Sequence, residues 1–116
     1  MKPMIGPYGS GALQFASRFQ DVNADAAWFH GFDADAFETC GKFGIHACVE
    51  FATFTTDYRK NPHLIPIGID GAPIRPGSWL QGICLSNADY LHGIEERLKS
   101  GLSAHSPRGV WLDYFA

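Results

Sequence analysis

The chain has 116 residues, enough for one hydrophobic core and too few for two domains. It is 46% hydrophobic and 18% charged with a formal net charge of -3, so no basic surface recommends it to nucleic acid or an anionic membrane. Pro3, Gly6 and Pro7 break the start before a secretory apolar core can form, and no run nears the ~18 apolar residues of a membrane helix, so a cytoplasmic setting is expected.

Met4-Ile-Gly-Pro-Tyr8 is a short apolar run, read as a first strand. Ser10 then caps a helix in which Ala12, Phe15, Ala16 and Phe19 fall at i, i+3, i+4 and i+7. A loop over Asp21–Asp25 leads to a second strand, Ala26-Ala-Trp-Phe-His30. Asp33 is the next helix cap, with Phe32 and Phe37 spaced as a hydrophobic staple. That helix turns Phe37 and Cys40 inward and stops near Gly44, a residue suited to a left-handed terminator. A third strand, Ile45 to Phe51, is almost wholly apolar and contains one acid, Glu50.

From Thr55 to Gln81 the periodic pattern lapses, far beyond the roughly 2–6 residues of an ordinary connection. A small hairpin is expected inside it, Ile65–Ile69 and Ala72–Ile74 flanking an Asp70-Gly71 turn, with prolines keeping it at an edge. Ser86-Asn-Ala-Asp89 resembles a capping box. Tyr90, Ile94 and Leu98 then form one apolar line, Glu95 and Lys99 pair at i, i+4, and Gly101 is read as the terminator. After Pro107 comes a fourth strand, Gly109-Val-Trp-Leu-Asp113, whose apolar run wants cover on both faces. Alternating strands and helices with tight connections indicate an α/β fold of parallel βα repeats, with about four strands and a long insertion after the third.

In such a sheet the polar residues Tyr8, His30, Glu50 and Asp113 gather at one rim, the carboxyl-terminal edge where α/β folds place ligands. Asp113 is the leading candidate and suits a nucleophile or base in glycosyl transfer, where two acids flank the bond about 5–9.5 Å apart; the alternative is that it binds a neighbouring strand's cation or a loop amide. Glu50 suits either ligand contact or an ion pair with Arg59. His30 can hydrogen-bond a sugar hydroxyl, assist proton transfer or serve as a satisfied structural histidine. Tyr58 and Trp79 in the insertion can stack on sugar faces or form a satellite core that holds the loop down. Tyr114, beside Asp113, completes the expected sugar contacts. The remaining histidines are scattered without ligand spacing, so no metal is expected, and no cofactor motif is complete. Cys40, Cys48 and Cys84 sit in apolar contexts and read as small buried hydrophobes.

Three stretches in order carry a family resemblance: His46-Ala-Cys-Val-Glu-Phe51; Asp70-Gly-Ala-Pro-Ile74 with Gln81-Gly-Ile-Cys-Leu-Ser-Asn87; and Gly109-Val-Trp-Leu-Asp-Tyr114. Together they resemble the first half of poorly characterised glycoside-hydrolase-like (β/α)8 barrel proteins, over about Trp28 to Phe115. The resemblance implies half of a TIM barrel, with residues 1–116 a partial domain of a larger one, and a carbohydrate substrate. It also implies a nucleophile or acid/base role for Asp113. The second acid would come from a later strand, so the isolated chain is expected to be inactive. A non-catalytic carbohydrate-binding domain or a small structural α/β domain is the alternative. Half a barrel leaves two sheet edges unpaired, so self-association is expected.

Overall fold

A computed structural model describes residues 3–74, 82–84 and 86–113. Three strands, β1 (Ala26–His30), β2 (His46–Ala52) and β3 (Gly109–Asp113), form one sheet in sequential order. Both pairings are parallel, with Ala26 opposite His46 and Cys48 opposite Gly109. The α/β architecture of consecutive parallel units is therefore that of part of a TIM barrel. The expected first strand is present as a thinner feature. Ile5 and Pro7 accept backbone hydrogen bonds from Ala26 and Trp28, Gly9 donates to Trp28, and a parallel bridge joins Tyr8 to Trp28. Pro7 has no N–H to offer, which suits an edge.

Between β1 and β2 lies helix α1 (Ala34–Lys42), and α2 (Ala88–His105) precedes β3. Alternation along the strands splits the sheet into two faces. Ala27, Phe29, Val49 and Phe51 pack with Phe19, Ala36, Cys40 and Ile94 of the helices into the core. Trp28, His30, Cys48, Glu50, Trp111 and Asp113 fall on the opposite face by the same alternation.

Asp33 caps α1 as expected, its carboxylate accepting from the backbone of Asp35 and Ala36, and the Phe32 and Phe37 rings stack at 6.5 Å. Cys40 and Cys48 are buried, Gly44 is left-handed at φ 66, and Lys99 pairs with Glu95 at 2.6 Å.

Several local expectations are corrected. The first helix is a 3-10 helix, Ser10–Val22, whose cap position is Gly9 and not Ser10. In that geometry side chains three apart stand in line, so Leu13, Ala16 and Phe19 meet the core while Phe15 turns out to solvent. Asn87, not Ser86, caps α2 by accepting from Tyr90. The helix passes through Gly101 and ends at Ser106, which is left-handed at φ 47. Gly101 is needed for proximity instead: a Cβ there would lie 2.2 Å from the Phe32 ring. The small hairpin exists but pairs only Ile67 with Pro73, with Gly71 left-handed in its turn. An antiparallel bridge from Thr55 to Gly82 closes the base of the insertion.

Candidate functional site

A parallel sheet carries its strand-end residues to one side, and four of the expected site residues meet there. Glu50 lies one residue short of the apolar Phe51 that anchors β2 in the core, so its side chain must point to the other face. It sits opposite His30 in the ladder and is only 3% exposed. The Tyr8 hydroxyl donates to its Oε2, and His30 Nδ1 lies 3.2 Å from the same oxygen. Tyr8 Oη is also 3.2 Å from His30 Nε2, with the two rings edge-on at 5.2 Å. Asp113 hydrogen-bonds the Glu50 carboxyl from the end of β3. Thr53 steadies that strand end, its backbone N–H and hydroxyl both donating to the Asp113 carbonyl, at 3.0 and 2.6 Å.

A buried carboxyl beside a second carboxyl resists ionisation. Burial raises the Glu50 pKa most, and the hydrogen bond and negative charge of Asp113 raise it further. Glu50 therefore holds its proton more readily than an exposed glutamate does. The hydrogen bond between the two carboxyls also makes them too close to flank a glycosidic bond, which needs about 5–9.5 Å between carboxyls. Glu50 does not pair with Arg59, because that guanidinium is taken by Asp57 at 3.0 Å.

Beside this group opens a trough of about 710 Å³ lined by Met4, Ile5, Gly6, Tyr8, Trp28 and Trp111. Trp28 and Trp111 escaped the sequence reading because aromatic residues in apolar strands pass for core. The signal was available: each stands two residues before a rim residue, His30 or Asp113, and so shares its face. Trp111 is 55% exposed.

Tyr58 is not brought to this group. It is buried, and its hydroxyl donates to the Gly82 carbonyl, so it ties the base of the insertion together. Trp79 and Tyr114 lie outside the described residues. Among the described residues no three His, Cys, Asp or Glu side chains cluster as a metal site would require, and no helix is long and apolar enough to cross a membrane.

No family model matches the sequence, and no curated protein matches it. Solved structures do share its shape. The maltogenic alpha-amylase AmyB from Thermotoga neapolitana superposes with a TM-score of 0.65 at 9% identity, over 95% of this chain and 39% of the amylase. An alpha-amylase from Lactobacillus plantarum gives 0.64 at 12% identity, over 92% and 37%. The chain thus spans about two-fifths of the length of these structures. At such identities the likeness concerns the fold alone: an α/β arrangement of parallel strands shared with part of these structures.

Proposed function

We propose that residues 1–116 are the amino-terminal part of a glycoside-hydrolase-like barrel and that the strand-end mouth acts on a glycan. One observation carries this reading: Tyr8, His30, Glu50 and Asp113 converge at one end of a parallel sheet, beside a trough walled by Trp28 and Trp111. Indole faces suit the apolar faces of pyranose rings, while the acid pair and the imidazole suit hydroxyl recognition and proton transfer.

A second reading, a carbohydrate-binding mouth without hydrolysis, is favoured by the closeness of the two carboxyls. The two readings separate in one assay. Reducing-end release from a panel of oligosaccharides is compared with binding, for the wild type and for Asp113→Asn. The hydrolytic reading expects Asp113→Asn to lower release by roughly a hundredfold with the fold intact by circular dichroism. Binding without release supports the second reading, and near-normal release by the variant removes Asp113 from the chemistry. Absence of both binding and release overturns the glycan proposal.

A further inference from the structure

The acid at the centre of this site is screened from the trough. Glu50 is 3% exposed, and its Oε2 is covered by the Tyr8 hydroxyl and by His30 Nδ1. Tyr8, by contrast, is 54% exposed, and of the four rim residues it is the one that lines the trough beside Trp28 and Trp111. Its phenol reaches from the edge segment, past His30 of β1, to Glu50 of β2. A molecule in the trough therefore meets the phenol and not the carboxyl behind it.

Each hydrogen bond in this cluster has a direction. Burial and the neighbouring Asp113 favour the neutral Glu50 carboxyl, whose single proton goes to Asp113. That carboxyl can then only accept from the Tyr8 hydroxyl, as it does. A phenol has one proton, and here it is committed to Glu50, so the Tyr8 oxygen offers lone pairs alone to the trough. A glutamine in place of Glu50 keeps both contacts, because its carbonyl accepts from Tyr8 and its amide donates to Asp113.

We propose that Tyr8 Oη is the hydrogen-bond acceptor for a ligand hydroxyl in the trough, and that Glu50 is a positioning residue that fixes the phenol in that direction. The inference rests on the glycan reading above and assigns no bond-making step to the cluster. Donation runs one way, from ligand hydroxyl to Tyr8, from Tyr8 to Glu50, and from Glu50 to Asp113. Each bond in such a chain polarises the next, which strengthens the outermost contact. A sugar hydroxyl can enter the chain as donor, whereas the fluorine of a deoxyfluoro sugar cannot.

The test uses the whole chain. The probes are oligosaccharides built from glucose, N-acetylglucosamine or xylose, with the monodeoxyfluoro analogues of those that bind. Affinities are measured for the wild type, Tyr8→Phe, Glu50→Ala, Glu50→Gln and the Tyr8→Phe/Glu50→Ala double variant, with circular dichroism to establish folding. Tyr8→Phe is expected to weaken binding roughly tenfold, the scale of one lost hydrogen bond. Glu50→Ala is expected to match it, and the double variant to be no weaker than either, because both remove the same contact. Glu50→Gln is expected to recover the affinity lost in Glu50→Ala. One fluoro analogue is expected to lose the same tenfold against the wild type and nothing further against Tyr8→Phe. Wild-type affinity in Tyr8→Phe overturns the proposal without reliance on any Glu50 variant. A folded Glu50→Gln as weak as Glu50→Ala, or losses that add in the double variant, overturn the positioning role and leave the glycan reading standing. If Glu50→Ala does not fold, Glu50→Gln and the fluoro series decide. Failure of the wild type to bind any probe overturns the glycan reading, and this assignment with it.

Discussion

Glu50 is the residue on which the site turns, and its chemistry has a measurable thermodynamic consequence. Its folded-state pKa is raised by burial and by Asp113. The folded protein therefore holds this proton more tightly than the unfolded chain, where a glutamate titrates near its ordinary 4.5. The contribution to stability is fully present below that value and is lost as pH rises through the raised one. Urea unfolding midpoints are expected to fall over that interval in the wild type and to fall less in Glu50→Gln, which cannot ionise. An unchanged pH slope in the variant would place the dependence elsewhere. At this scale the sequence was partly legible. An acid, an imidazole and a phenol at strand ends announce themselves because polar groups inside apolar strands need a reason. That the two carboxyls share a hydrogen bond was not legible, because it depends on strand register and side-chain reach. Tyr58 was ambiguous for a related reason: only its bond to the Gly82 carbonyl shows it to be an anchor for the insertion.

At the level of elements, cover on both faces was expected of Val110-Trp111-Leu112, but Trp111 and Leu112 are exposed in β3, whereas the apolar runs Ala26–His30 and Ile45–Phe51 were expected as strands. β1 and β2 follow them within a residue. Helix ends were less legible. The residue chosen as a stop, Gly101, is a contact glycine, and nothing in local sequence distinguishes a glycine that ends a helix from one that admits a ring. Phe32 comes close to Gly101, and its ring also stacks on Phe37 and lies 6.3 Å from His105. Gly101→Ala is thus expected to destabilise the fold by about 1–3 kcal/mol, the usual cost of overpacking a closed contact, despite the gain in helix propensity. Thermal or urea denaturation checks the sign. A variant as stable as the wild type would show that Phe32 can move aside, and that the packing of α2 on α1 is looser than these distances indicate. The 3-10 geometry of Ser10–Val22 was hidden because a spacing of i, i+3, i+4, i+7 does not separate it from an α-helix when the inward residues also recur every third position.

The whole molecule is more open than its length requires. Its accessible surface is 7850 Å², against about 6,200 Å² for a compact monomer of this mass. The radius of gyration is 17.2 Å, where about 13 Å is typical for such a chain. At the sheet's margins Leu112 of β3 is exposed on one side, and Ile5, Phe15 and Val22 flank an apolar groove of about 420 Å³ on the other. Unpaired strand edges with apolar neighbours invite pairing with another chain. Sedimentation velocity across a concentration series is expected to show reversible association of the isolated chain, and a clean monomer at the highest concentration would count against it. The parallel topology itself was readable from alternation and connection length. The openness was readable only as a consequence of counting about four strands where a barrel has eight.

On the proposed reading, the rim residues and the two indoles that line the trough form one glycan-binding mouth. Tryptophan fluorescence during oligosaccharide titration tests it most directly, for the wild type and Trp111→Ala. A saturable change in the wild type, weakened roughly tenfold in the variant as loss of one stacking face would produce, is the expected result. No saturable response to any glycan, or an affinity untouched by removal of Trp111, would contradict it.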